Sequence, residues 1–169
     1  GNKNKAPFTE AMQADFAISP YGATKKAGEV LAHTYHHNFK MNVHCFRIFN
    51  AYGPRMRPNL VLYKWVKALL SGETIEISGK GTRKRDYTYV GDIVDAVNKS
   101  ISKMGKKTKE GHFEVLNIGN SSPVALKDLL KKVEKVLGVK ATVKSRPSHK
   151  ASVEKTHAHT GKAKKVLGW

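Results

Sequence analysis

Cysteine is almost missing from this 169-residue chain: Cys45 is the only one. No intramolecular disulfide can form, and a reducing compartment is expected. Cys45 lies inside the apolar run 43–49, where a buried, inert thiol is expected. Long hydrophobic runs are missing too. None approaches the length that spans a bilayer, and the start shows no signal peptide. A cytoplasmic location is therefore expected, with any targeting signal lying upstream of this sequence. Acidic residues are scarce, 13 against 31 lysines and arginines, which leaves a formal charge of +18. Hydrophobic residues still make up 40% of the chain, enough to exclude a disordered basic tail and to expect a folded domain with a core.

The positive field suits nucleic acid, an acidic membrane surface or anionic substrates such as nucleotide sugars. The cations are 25 lysines and only 6 arginines. Specific base reading favours arginine, and scattered lysines usually form solvated faces, so no dedicated nucleic-acid binding is expected. The densest cluster is 103–109, and Lys127, Lys131, Lys132 and Lys135 share a helix.

Periodicity predicts an α/β protein. A polar loop covers 1–16. A helix follows over 19–37, with Ala27, Val30, Leu31, Thr34 and Tyr35 along its apolar side. The near-continuous apolar run 43–49 reads as a strand buried on both faces of a parallel sheet. Beyond Gly53-Pro54 come a basic loop, a helix over 60–70 stopped by Gly72, and a strand over 74–78. Further strands are expected at 86–89, 113–118 and 139–143, with helices over 91–101, 126–137 and 160–167 and a surface loop at 103–111.

Within this frame the run Ser19-Pro20-Tyr21-Gly22-Ala23-Thr24-Lys25 stands out. Tyr21 and Lys25, four residues apart on a helix, share a face. An ammonium held beside a phenol favours the phenolate, so such a pair can serve as a general base. Taken alone, Tyr-x-x-x-Lys is common by chance, one core and one solvated residue. His33, His36 and His37 have partly metal-like spacing without an acidic or cysteine companion, and surface histidines are expected, as at His157 and His159. Asp86 and Asp92 read as a loop acceptor and an N-terminal helix charge. Gly79-Lys80-Gly81 is no dinucleotide fingerprint, because Lys84 occupies the place of the third glycine.

Several segments in order raise the weight of the opening pair. They are YGATKKAGE (21–29), FRIFNAYGPRMRP (46–58), KRDYTYVGDIVDA (84–96), NIGNSSPV (117–124) and KAKKVLGW (162–169). From Ser19 onward the chain resembles the extended short-chain dehydrogenase/reductases, specifically the NAD-dependent nucleotide-sugar epimerases and dehydratases. RDYTYVGDIV and LNIGNSSPVAL look most like UDP-glucuronate 4-epimerases, and RIFNAYGPRM also like UDP-glucuronate decarboxylases. The resemblance implies a fold: the C-terminal part of a Rossmann-like parallel sheet plus a smaller α/β substrate-binding domain. It places the remnant of the Rossmann-like domain at 1–58 and the mainly substrate-binding part, with some return to the core sheet, at 59–169.

The resemblance also implies roles. Tyr21 would be the base that takes a proton from a sugar hydroxyl as hydride passes to NAD, and Lys25 would hold the nicotinamide ribose. Tyr21, Lys25, Ile48 and Phe49 would border the cofactor. Asn50 would contact the sugar or its diphosphate, Arg57 the uronate carboxylate and Arg85 the diphosphate. Arg55, Arg57 and Arg85 are otherwise ordinary surface residues, and their context favours ligand contact. A UDP-sugar substrate and a homodimer through the Tyr-x-x-x-Lys helix complete the expectation. A 4,6-dehydratase or decarboxylase on the same scaffold is the chemical rival, and a non-catalytic basic paralogue binding polyanions is the rival of another class.

The sequence departs from that family in three places. The Gly-rich dinucleotide-binding half and the catalytic serine or threonine are absent, so the chain looks like the C-terminal half of a longer enzyme, inactive alone. Near 146–156 the arginine expected before Gly-Asp is replaced, with His149, Ala151 and Ser152 at those three positions, and Arg146, three residues upstream, is left as an open substitute. The family also continues beyond Trp169.

Overall fold

A computed structural model describes residues 4–105, 109–147 and 153–169. Part of the lysine cluster at 103–109, together with His149, Ala151 and Ser152, lies outside them.

The first helix, α1 (Pro20–Phe39), starts as its sequence dictates. The Ser19 side chain accepts from the Gly22 N–H at 3.1 Å, and Pro20 occupies the first turn, where no N–H is needed. Next come β1 (Asn42–Ile48), β2 (Ala51–Tyr52), α2 (Val61–Leu70), β3 (Ile75–Ser78), β4 (Lys84–Arg85) and β5 (Thr88–Tyr89). The chain closes with α3 (Val90–Met104), β6 (His112–Ile118), β7 (Val124–Ala125), α4 (Leu126–Leu137), β8 (Val143–Arg146) and α5 (Gly161–Leu167). Strands pair in twos. β1 runs parallel to β6 from Asn42↔His112 to Ile48↔Ile118, and β2–β5 and β3–β8 are also parallel. Only the short β4–β7 pair is antiparallel among them. The α/β class with parallel pairing is as expected.

Two apolar clusters form. Trp65 and Leu69 of α2, Ile75 and Ile77 of β3, and Leu130 and Val133 of α4 make the first. Ile93 and Ala96 of α3, Leu116 and Ile118 of β6, and Ala163 and Leu167 of α5 make the second.

Four expectations change. The apolar side of α1 does not pack: Ala27, Val30, Leu31, Thr34 and Tyr35 are all exposed and the helix has no buried residue. Its sheet-facing residues are Gly22, Lys26, Glu29, Ala32 and His36, half-buried, because Arg47 on β1 seizes Glu29. Its Nε donates to Oε1 at 2.6 Å and an Nη to Oε2 at 2.8 Å. β1 is not buried on both faces; its residues, Cys45 included, are half-buried and Ile48 is exposed. Only β6 pairs with it among the described residues.

The expected strand 139–143 is displaced to Val143–Arg146. Gly138 ends α4 at φ 69°, the Val139 N–H returns to the Glu134 carbonyl, and the Ala141 N–H donates to Glu134 Oε1. These bonds hold 139–141 as a connection. The strand expected at 86–89 splits into β4 and β5 because Asp86, fully buried, turns its carboxylate inward. It accepts from the N–H groups of Asn120, Ser121 and Ala158 at 2.8–3.1 Å. A buried carboxylate is tolerated when donors surround it this way.

Candidate active site

At the C-terminal ends of β1 and β2, a cavity of about 640 Å³ opens between the start of α1 and the loop 53–60. Tyr21, Ile48, Asn50, Tyr52, Arg55, Met56, Arg57 and Tyr87 all line it, and no lining residue is acidic. Parallel strands bring their C-terminal loops to one end, which is where α/β sheets bind ligands.

Tyr21 stands on the first turn of α1, 71% exposed and facing this cavity. The Lys25 ammonium lies 5.4 Å from the centre of its ring. Lys25 does not itself line the cavity, so the pair meets at the rim. The placement of both follows from α1, and α1 is anchored by charge. The Glu29–Arg47 pair is fed by Lys26 at 3.6 Å, which also reaches Asp15 at 3.3 Å, and an Arg47 Nη donates to the Glu10 carbonyl. Glu10 in turn accepts from the Asn117 N–H of β6. The two-point bond from Arg47 holds the Glu29 carboxyl below its ordinary range, and the same bond pushes the Arg47 guanidinium up, both against the pull of burial.

Ile48 and Asn50 follow from β1: the strand ends at Ile48 and the next residues turn into the cavity wall. Phe49 does not line the cavity; its N–H donates to the Ile118 carbonyl. Arg85 does not line it either. Its Nη donates to the carbonyls of Lys84 and Glu154 at 2.8 and 3.3 Å, and burial lowers its pKa from the free value. Of the residues expected at the site, the structure thus brings together Tyr21, Ile48, Asn50 and Arg57, keeps Lys25 beside Tyr21, and sets Phe49 and Arg85 outside the cavity.

The loop that carries Arg57 is two consecutive turns. The Met56 N–H donates to the Gly53 carbonyl and the Leu60 N–H to the Arg57 carbonyl. Gly53 has φ 136°, and a Cβ there would sit 2.6 Å from a Val90 methyl, so the turn lies hard against the start of α3. Arg55 sits at the third position of the first turn with φ 62°. That is the arrangement of a type II turn, whose third position normally holds glycine or asparagine. For a residue with a Cβ it costs about 1–2 kcal/mol.

Tyr52, Tyr87 and Met56 are among the lining residues with no role expected from the sequence. Tyr52 and Tyr87 meet edge-on with ring centres 6.4 Å apart, and burial pushes the Tyr87 phenol up. Tyr87 lies with Asp86 in the break between β4 and β5, where the carboxylate turns inward to three amides and the ring lines the cavity. Met56 fills the turn between the two arginines. A second, more apolar cavity of about 530 Å³ shares Tyr52, Leu62 and Tyr87 and runs between α2 and α4. The histidines take other work. His33 and His36 pack on Phe113, and the His36 Nδ1 lies 2.8 Å from the Met41 carbonyl. His44, its pKa lowered by burial, bonds the Ser100 hydroxyl at 2.7 Å. No group of three or more metal-ligating side chains comes together among the described residues.

Comparison with known proteins agrees with this architecture. UDP-glucuronate 4-epimerase of Thermodesulfobacterium geofontis is 35% identical over 164 residues, covering 96% of this chain and 49% of the relative. UDP-glucuronate 4-epimerase 5 of Arabidopsis thaliana is 39% identical over 180 residues, covering 100% and 41%. The chain therefore spans about half the length of these curated relatives or less. Among solved structures, the UDP-glucuronic acid 4-epimerase of Bacillus cereus, crystallised with UDP-glucuronic acid and NAD, superposes with a TM-score of 0.83. It is 32% identical, covering 96% of this chain and 51% of that one. The family model described as GDP-mannose 4,6 dehydratase matches residues 1–169, and the chain belongs to that family of nucleotide-sugar epimerases and dehydratases.

Proposed function

We propose that this chain is the sugar-binding portion of an NAD-dependent nucleotide-sugar epimerase acting on UDP-glucuronate at C4. The observation that carries the reading is the cavity itself: Tyr21, Asn50 and Arg57 face one volume with no acidic neighbour, and the Lys25 ammonium stands beside the phenol. An anionic sugar fits such a wall. Residues 1–58 would carry the proton-transfer apparatus and 59–169 most of the sugar and nucleotide contacts.

In this proposal Tyr21 Oη takes the proton from the sugar hydroxyl being oxidised and returns it when the ketone is reduced. Lys25 sets a positive charge beside the phenol, Asn50 orients the sugar, and Arg57 pairs with the carboxylate through two parallel N–H···O bonds. Arg85, outside the cavity, is left to the diphosphate. When bound, NAD supplies a reversible hydride acceptor. The exposed Tyr21 ring and Ile48, 48% exposed, fit its nicotinamide end. No Gly-rich strand–turn–helix for its pyrophosphate occurs in this sequence, and Phe49 is turned to β6. We therefore assign only that end and expect residues 1–169 to bind the UDP-sugar without turning it over. The exposed row Ala27, Val30, Leu31 and Thr34 supports a homodimer, readable as a doubled sedimentation mass.

The test is a titration of UDP-glucuronate, UDP-glucose and UDP into the chain, followed by incubation with NAD. Binding of UDP-glucuronate in preference to UDP, with no UDP-galacturonate formed, is expected; product formation would overturn the inactivity. Binding of random DNA in preference to UDP-sugar, lost steeply with salt, would favour the polyanion reading instead.

A further inference from the structure

We propose that Arg55 is a specificity-determining residue, sharing with Arg57 the recognition of the sugar's carboxylate; this rests on the nucleotide-sugar reading above. The first ground is conformational. Arg55 holds φ 62° at a turn position that suits glycine or asparagine, so the backbone gains nothing from a long side chain there. Strain held in a binding loop points to a use for the side chain. The second ground is electrostatic. Both guanidiniums line the cavity that Tyr21 faces, none of its walls is acidic, and neither arginine is in an ion pair among the described residues.

Two like charges two residues apart, at a wall with no counter-charge, are best satisfied by a ligand that brings one. A carboxylate has two oxygens and about four lone-pair sites, enough for a bidentate pair with one guanidinium and a further bond from a second. Both guanidiniums are exposed and hydrated, so a neutral hydroxymethyl group in the same place gains no charge-assisted bond from either. Discrimination follows from that missing attraction. Arg57 alone would bind the uronate; the two together widen its advantage over the neutral sugar.

The experiment is calorimetric titration of UDP-glucuronate and UDP-glucose at fixed ionic strength into the unmodified chain, Arg55→Gly and Arg55→Lys. Glycine removes the guanidinium and suits the positive φ, so Arg55→Gly should melt at the same temperature or higher. It should weaken UDP-glucuronate by about tenfold, the worth of one charge-assisted hydrogen bond, and UDP-glucose by less than twofold. Arg55→Lys should recover part of the preference. Equal weakening of both ligands would assign Arg55 to the shared diphosphate and overturn the proposal, as would an unchanged preference. An unmodified chain that binds neither UDP-sugar would defeat the nucleotide-sugar reading itself, and this inference with it.

Discussion

The helix that carries the candidate base and the helices that wall the neighbouring apolar cavity are held by opposite means. α2 and α4 grip β3 through Trp65, Leu69, Ile75, Ile77, Leu130 and Val133, each at most 9% exposed. α1, at 20 residues the longest helix, buries no residue and rests on one half-buried ion pair, a few polar contacts and two histidines against Phe113. Apolar burial is non-directional and tolerates sliding, whereas a bidentate guanidinium–carboxylate pair fixes rotation and register together. A base needs its orientation set more tightly than a wall does. The molecule therefore places its stability in the wall and its directional bonds under Tyr21, and α1 should open by itself at a free energy below that of global unfolding.

The strongest way to break that comparison is to empty the wall. Trp65→Ala, 3% exposed in the native chain, should cost about 3–5 kcal/mol in urea unfolding. Amide exchange in α1 should hardly change if its opening is local. A loss near zero would mean that this cluster does not carry the fold; a parallel loss of α1 protection would mean the two regions open together.

Glu29→Gln attacks the other side. It removes one charge from a pair whose side chains are 17% and 23% exposed, and should cost α1 about 1–3 kcal/mol of exchange protection while leaving α2 and α4 unmoved. Acid should do the same to the native chain. Because the Glu29 carboxyl is held below its ordinary 4.5, its contribution is complete above that value. It fades as pH falls through the lower folded-state value, since protonation then favours the undocked helix. Protection factors along α1 should therefore drop below pH 4.5, and Glu29→Gln should flatten that dependence. A native α1 insensitive to acid would sink the ionic account.

The same contrast explains what could be read in the residues beforehand. The order of helices and strands was legible because periodicity and caps are local: Ser19-Pro20 opens α1, and Gly138 closes α4. The face that α1 turns inward was not, because Val30, Leu31 and Tyr35 look like a core row, and only the distant Arg47 decides otherwise. The split at Asp86 was equally hidden; three amides from positions 120, 121 and 158 create it. At the site, Tyr21, Ile48, Asn50 and Arg57 were visible as motif positions and converge on one cavity. Phe49 and Arg85 belong to the same motifs, yet strand alternation and backbone acceptors turn them elsewhere. Tyr52 and Tyr87 lie inside the motif segments but were given no role there, and Arg55 was expected only to contact ligand. Pairing of β2 with β5 and the positive φ of a turn bring them in.

The smallest effect expected sharpens the comparison at the far end of α1, where the helix is capped by Lys40 at φ 53°. Lys40→Gly should relieve a left-handed conformation that costs an L-residue about 1–2 kcal/mol. Two terms oppose that gain. Glycine loses more backbone freedom on folding, by about 0.5–1 kcal/mol. The substitution also removes the ion pair from Lys40 to Glu110 at 3.0 Å, whose side chains are 50% and 73% exposed; pairs this wet are worth about 0.2–1 kcal/mol and less in salt. At mid-range the terms nearly cancel, leaving roughly 0.2 kcal/mol, which shifts toward gain at high ionic strength, is confined to the last turns of α1 and is invisible in the urea midpoint of the α2–α4 wall. A shift of that midpoint would show α1 and the wall to be one cooperative unit. Their separate modes of attachment would then have no dynamic consequence.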